Sequence, residues 1–218
     1  VPTAVAAGRA VLLESQKENG VAVVEMGAAT TSVAIFMEGF LQYFGVINVG
    51  ANHITNDIAI SLAVSTEVAE EIKMKYVTAE LIDNDKPMTM RFGDESISFT
   101  KTMVNRIVED RLIDIFEHVK KEIAIAGYEK KLPEGVVLTG GGAEMRGIER
   151  FAREHMEVAT RIGLPLMDVT HIDNETKKPR FAVAIGLALM MNDDMREQET
   201  RVEEKPAGFL SKLFGGGR

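Results

Sequence analysis

Between Val21 and Val49 the apolar residues run in short, nearly unbroken stretches divided by glycine, and this pattern predicts strands. Val21-Ala22-Val23-Val24-Glu25-Met26 stops at Gly27, Ser32 to Met37 follows a small-residue turn, and Leu41 to Val49 follows Glu38-Gly39. Three strands with such short connections pair as an antiparallel meander. The period then changes. Ile54, Ile58 and Leu62 stand at helical spacing within Asn52 to Leu62, and Ser65-Thr66-Glu67 opens a second helix through Tyr76 with Val68, Ile72 and Tyr76 apolar. Met88 to Phe99 alternates around Gly93-Asp94-Glu95 as a weaker hairpin, and Thr100 to Ala126 is a long amphipathic helix ended by Gly127. Val136-Val137-Leu138-Thr139 returns to strand, followed by three glycines and a helix from about Gly147 to His155. Pro179 to Met191 reads as a mostly apolar final helix, Ala4 to Gln16 as an isolated first one, and Asn192 to Lys205, rich in Glu, Asp and Arg, as a solvated linker.

Composition narrows the function classes. With 45% hydrophobic residues and a mean hydropathy of +0.00 over 218 residues, the chain has the apolar surface for one ordinary core or two small lobes sharing one. A net charge of −8 argues against a phosphate-backbone site, so nucleic acid is not an expected partner. Cysteine is absent, which excludes disulfides and thiolate metal sites and favours a cytoplasmic setting. His53, His118, His155 and His171 show no ligand spacing, and no metal site is expected from them. No apolar run of about 18 residues predicts a membrane span. Val1-Pro2-Thr3 carries neither an initiator Met nor a signal peptide, and the expectation is a fragment that begins inside a longer protein.

Two turns carry the candidate chemistry. Met26-Gly27-Ala28-Ala29-Thr30-Thr31 joins two predicted strands. Such a turn aims backbone N–H groups and two hydroxyls at a phosphate, while Glu25 at the strand end offers a carboxylate to a hydrated Mg²⁺. Thr139-Gly140-Gly141-Gly142-Ala143 precedes a helix, and its missing side chains let the sugar and phosphates of a nucleotide approach the backbone. Each cluster alone reads equally well as a plain tight turn. Their order, separated by an α/β insert, is the more specific signal.

In these motifs the chain resembles the actin/Hsp70-type ATPase superfamily, whose second domain carries a phosphate turn D-x-G-x-x-T-T and, later, an adenosine-binding turn x-x-T-G-G-G. Residues 20–37 and 135–148 match in place and order. Within the superfamily, Gly50-Ala51-Asn52-His53-Ile54-Thr55-Asn56-Asp57-Ile58-Ala59 and Ala69-Glu70-Glu71-Ile72-Lys73-Met74-Lys75-Tyr76 are similar to the cell-division FtsA family. Rod-shape-determining MreB-like and pilus-assembly actin-like ATPases are the alternatives. The resemblance spans about 20 to 190. It implies an α/β, actin-like (ribonuclease-H-like) domain with an inserted α/β subdomain. Residues 1–19 would enter from a missing first domain, 20–48 and 132–191 form the lower lobe of domain two, 49–131 the inserted upper lobe, 192–207 a flexible linker and 208–218 a membrane-targeting tail.

The resemblance further implies ATP with Mg as cofactor, held by Glu25, Gly27, Ala28, Ala29, Thr30, Thr31, Gly140, Gly141 and Gly142. Glu25 would contact the Mg-bound water, and Lys73 would lie where the upper lobe meets the purine, with Glu70 and Asn52 beside it. Read from residue types alone, Lys73 and Glu70 are equally a solvated i,i+3 pair, and Asn52, Thr55 and Asp57 cap and open a helix. The chain departs from the family pattern at Glu25, where Asp is usual, and at Ala28 and Ala29, where glycine is usual. The extra methylene of Glu25 moves the carboxylate by about 1.5 Å in a site where Mg²⁺ tolerates little distortion. If residues 28 and 29 need positive φ, each Cβ costs roughly 1 kcal/mol. The expectation is a nucleotide-binding scaffold with at most weak ATPase activity and no assigned catalytic residue. Its implied partners are copies of itself in a filament, the tubulin-like ring protein FtsZ and the inner membrane, with the protein peripheral on the cytoplasmic side.

The last eleven residues differ again. On a helix, Phe209, Leu210, Leu213 and Phe214 fall within an arc of about 140°, with Ser211 and Lys212 facing away. Fewer than roughly 12 residues do not hold a helix in water, so this segment is expected to order only against a surface.

Overall fold

The computed structural model describes residues 1–80, 86–93, 95–166 and 174–203. Strands β1 (Val21–Met26), β2 (Thr31–Met37) and β3 (Phe40–Ile47) form an antiparallel meander, and β6 (Val136–Thr139) and β7 (Thr160–Ile162), joined through α6 (Ile148–Met156), extend it in parallel with β1, giving the order β3-β2-β1-β6-β7. Between β3 and β6 the chain leaves the sheet to build α3 (Ala51–Leu62), α4 (Thr66–Tyr76), the hairpin β4–β5 (Met88–Phe92, Glu95–Phe99) and α5 (Lys101–Ile125). Side-chain caps mark two of these helix starts: Ser65 Oγ accepts from Val68 N for α4, and Thr100 Oγ1 from Met103 N for α5.

The unbroken apolar run of β1 has a direct cause, because both faces of this central strand are covered. Ala22, Val24 and Met26 point into a core that includes Val33 and Ile35 of β2 and reaches Ile54, Ile58, Ile72, Leu112 and Phe116 of the inserted helices. Val21 and Val23 point the other way, onto α1 (Thr3–Val11) and the start of α7 (Ala182–Glu203), with Ala4, Ala7, Ala10, Val11, Phe36, Val137 and Ala182. Each fully buried Val, Leu, Ile, Phe or Met side chain among these stabilises the fold by about 1.5–3 kcal/mol. The inserted elements therefore share one continuous core with one face of the sheet.

Three differences from the sequence reading have physical reasons. First, Ala4 to Gln16 is not one isolated helix: Leu12 and Leu13 are extended, and a separate α2 (Glu14–Asn19) follows. Helix α1 is buried at six of its nine residues because its alanines let it lie close to the sheet and to α7. Second, the expected linker over 192–207 is helical as far as Glu203. No glycine or proline interrupts residues 187–203, and Glu, Arg, Gln and Met are strong helix formers even when they leave no apolar stripe. Arg9 also ties this stretch back, its Nη2 standing 2.8 Å from Asp193 Oδ2. Third, β7 was not anticipated, since it has only three residues and one is Arg161. Residues 204–207, the tail 208–218 and His171 lie outside the described residues. Among the described residues no helix is long and apolar enough to cross a membrane.

Candidate functional site

The two glycine turns meet at the carboxyl ends of β1 and β6. These strands pair in parallel with Glu25 opposite Thr139, so the turns leave the sheet at one level. A crevice outside the carboxyl ends of parallel strands is where open α/β sheets take ligands. Glu25 is 7% exposed, and its carboxylate lies between the turns: a Cβ built on Gly140 would stand 2.7 Å from Glu25 Oε1, and one on Gly27 3.4 Å away. Burial pushes the Glu25 carboxyl above the usual carboxylate range, opposed by a hydrogen bond with Thr3. Thr3 was not foreseen in this role. Its Oγ1 also lies 3.0 Å from Ser32 Oγ, and Ser32 pairs with Glu25 across β1 and β2.

In the first turn, Gly27 N donates to Thr30 O at 2.9 Å. The start of α3 then caps the turn from outside, with Ala51 N donating to Gly27 O at 2.9 Å and Asn52 N to Ala28 O at 2.8 Å. Gly50 permits this approach, since a Cβ there would lie 2.6 Å from Ala28 O and 2.8 Å from both Gly27 O and Thr30 N. In a trans peptide the C=O and the following N–H point in opposite directions, and the described residues contain no cis bond. Drawing the carbonyls of residues 27 and 28 toward α3 therefore turns the Ala28 and Ala29 amides away from it. Both alanines are exposed, and among the described residues neither amide has a partner. Neither residue has positive φ, so the expected strain of a Cβ at these positions is absent.

Thr30 is half-buried and its hydroxyl bonds to no described residue. Thr31 differs: it is fully buried and its hydroxyl donates to Val49 O at 2.8 Å, so it holds the loop before α3 and does not face the crevice as a donor.

In the second turn, Gly140 has φ +90° and its N–H donates to Pro179 O. A side chain at Gly142 would strike Met26, whereas nothing stands within 4 Å of the position a Cβ would take on Gly141. The exposed Gly141 amide has no described partner. Thr139 Oγ1 lies 3.0 Å from Gly163 O and 3.2 Å from Pro179 O. Arg180 pairs with Glu144 just after this turn, and that pairing holds the Glu144 carboxyl below its usual range despite partial burial. Sequence reading missed Pro179 and Arg180, whose contacts run back about 40 residues.

The remaining candidates divide. The Asn52 side chain is exposed, and its contribution is the backbone bond to Ala28. Lys73 is not the solvated partner that its spacing from Glu70 suggests, for its side chain is 9% exposed against 46% for Glu70. Its ammonium stands 2.7 Å from Glu70 Oε2, 2.7 Å from Thr55 Oγ1 and 3.3 Å from Ala51 O. Burial raises the Glu70 pKa, but the hydrogen bonds from Lys73 and Thr55 prevail and hold it below the usual range. Phe209, Leu210, Lys212, Leu213 and Phe214 lie outside the described residues.

The residues present fit a phosphate group, offering unpartnered amides at Ala28, Ala29 and Gly141, the Thr30 hydroxyl and a crevice free of side chains at Gly141. They fit a cation less well, since burial already disfavours the charged form of Glu25.

Comparison with solved structures places this architecture among actin-like folds. The MreB5 protein of Spiroplasma citri bound to ADP superimposes with a TM-score of 0.71 at 18% identity, covering 91% of this chain and 61% of that one. The PilM–PilN type IV pilus biogenesis complex gives a TM-score of 0.62 at 20% identity over 81% of this chain and 47% of that one. In sequence, cell division protein FtsA of Pseudomonas aeruginosa is 34% identical over 188 residues, covering 84% of this chain and 45% of that protein. FtsA of Neisseria meningitidis is 32% identical over 219 residues, covering 95% of this chain and 53% of that protein. The chain thus spans about half the length of the curated relatives it matches. The family model described as cell division protein FtsA matches residues 22–186, and with these relatives it shows that the chain belongs to the cell-division FtsA family.

Proposed function

We propose that the chain is the second-domain part of an actin-like division scaffold that polymerises, binds ATP with Mg at the crevice between the two turns, and tethers FtsZ to the cytoplasmic face of the inner membrane. The observation that carries the nucleotide half is the convergence of the β1 and β6 turns on Glu25 with outward-facing amides at Ala28 and Ala29. When bound, Mg would supply charge neutralisation at the phosphates. The residues of this chain hold and orient: Ala28, Ala29 and Gly141 through their amides, Thr30 through its hydroxyl, and Glu25 toward the cation's hydration shell. Glu25 stands where the family usually has Asp, which favours a scaffold with weak turnover at most.

The membrane half rests on Phe209, Leu210, Leu213 and Phe214 with the cations Lys212 and Arg218. Four apolar side chains at about 1.5–3 kcal/mol each are largely offset by partial interfacial burial and by ordering about six residues at about 1–2 kcal/mol each. A single tail binds marginally, and attachment depends on many tails joined in a polymer. The test is co-sedimentation of the full-length protein with anionic vesicles and FtsZ polymers. The expected result is recruitment of FtsZ to vesicles only with the tail intact, abolished by Phe209→Glu with Phe214→Glu. Recruitment that survives those changes, or none with the parent protein, overturns the tether.

A further inference from the structure

Lys73 is far more buried than its companion Glu70, and an ammonium group has three N–H donors. All three have acceptors within the protein: Glu70 Oε2, Thr55 Oγ1 and Ala51 O. Thr55 in turn donates to Glu70 Oε2 at 2.5 Å, closing a three-membered network between α3 and α4. None of the N–H groups is left for a base or a sugar unless one of these bonds breaks.

The third acceptor gives the network its reach. Ala51 is the first residue of α3, and while its carbonyl accepts from Lys73, its amide donates to Gly27 O and the next amide donates to Ala28 O. Those two bonds aim the Ala28 and Ala29 amides outward. A chain of direct contacts therefore runs from the Lys73 ammonium, through one peptide of α3, to the donors of the phosphate turn.

We propose that Lys73 is a positioning residue for the phosphate turn, clamping the first turn of α3 so that the Ala28 and Ala29 amides converge on an anion. This rests on the nucleotide reading above, and it assigns Lys73 a role other than direct contact with the purine. Loss of the clamp lowers affinity for anything that binds through its phosphates, with or without a base. A Lys73 that touches the base or sugar affects only the nucleotide.

The test compares ATP with inorganic tripolyphosphate in titrations of the full-length protein. Lys73→Met is expected to weaken both by the same factor, about tenfold, the size of one hydrogen bond to a charged group. Thr55→Val, which keeps the shape of the side chain but removes its hydroxyl, is expected to weaken both equally and by less. Lys75→Met, which removes only the exposed i,i+4 pair with Glu71, is expected to leave both unchanged. Hydrogen exchange without ligand supplies a second arm, in which the Ala51 and Asn52 amides exchange at least about tenfold faster in Lys73→Met than in Lys75→Met. Loss of ATP affinity with tripolyphosphate affinity retained overturns the proposal, as does unchanged exchange at Ala51 and Asn52. Should the parent protein bind neither ligand, the nucleotide reading falls and the exchange arm alone decides whether the clamp exists.

Discussion

A Cβ on Gly140 would stand 2.7 Å from Glu25 Oε1 and 2.6 Å from the Met26 carbonyl oxygen, at a residue whose φ is +90°. The two turns can therefore meet only because position 140 has no side chain. Gly140→Ala is expected to destabilise the protein by about 2–4 kcal/mol, from left-handed backbone strain together with contact against a backbone atom that cannot rotate away. Gly141→Ala, with open space around it and no positive φ, is expected to stay within about 0.5 kcal/mol of the parent. Urea unfolding of the two variants side by side checks this, and equal midpoints would show that the turns are not packed as described.

Glu25 makes a second prediction, about pH. Its carboxyl is raised above the ordinary value of 4.5 chiefly by burial, so the folded protein holds that proton more tightly than the unfolded chain does. Its contribution to stability is fully present below the unfolded value and is lost as pH rises through the folded value. Glu25→Gln keeps the shape and removes the titration. The stability of this variant relative to the parent is expected to improve as pH rises above about 4.5 and to level off once the folded carboxyl has ionised, read from urea midpoints at each pH. A constant difference, or one that favours the parent more at pH 7, sinks the assignment of a strained buried carboxyl.

What the sequence makes legible follows from which forces are local. The valine run of β1 reports a strand covered on both faces, and Gly140 to Gly142 report a turn that another backbone approaches, because both are statements about the residue itself. The Lys73 environment depends on contacts with Ala51 and Thr55, 22 and 18 residues earlier, and an i,i+3 spacing cannot distinguish a solvated pair from an enclosed one. Residues 192–203 mislead for the opposite reason: the charged residues that suggest a solvated linker are also good helix formers. The backbone angles at Ala28 and Ala29 are likewise set by two amides of α3, outside any pattern in the turn.

That last point removes the condition under which a Cβ at these positions would be strained, with a measurable consequence. Since neither Ala28 nor Ala29 has positive φ, replacing them by the glycines usual in the family relieves no strain. Ala28→Gly and Ala29→Gly are each expected to cost about 0.5–1 kcal/mol by increasing the freedom of the unfolded chain. They are expected to leave ATP affinity unimproved in the full-length protein. A gain in affinity on titration would mean that the Cβ atoms crowd the ligand itself.

The back of the sheet supplies the last prediction. Helices α1 and α7 cross so closely that a Cβ on Gly186 would lie 1.7 Å from the Ala6 carbonyl oxygen and 2.5 Å from its carbon. No rotamer change relieves such a contact, because the obstacle is backbone; the helices must separate. Separation would draw α7 off a layer built from Ala4, Ala7, Ala10 and Ala182, whose short side chains cannot refill the gap. Overpacking of this kind costs about 1–3 kcal/mol or more, and here it exceeds the gain of up to about 1 kcal/mol that alanine brings to a helix interior over glycine. Gly186→Ala is therefore expected to lower stability by at least about 2 kcal/mol, despite a substitution that favours helix in isolation. Ala188→Gly, on the same helix but at an exposed position, is expected to lose only the helix-propensity difference of about 1 kcal/mol. Urea unfolding of both variants decides it, and a stabilised Gly186→Ala would show that α7 does not lie against α1 at this distance.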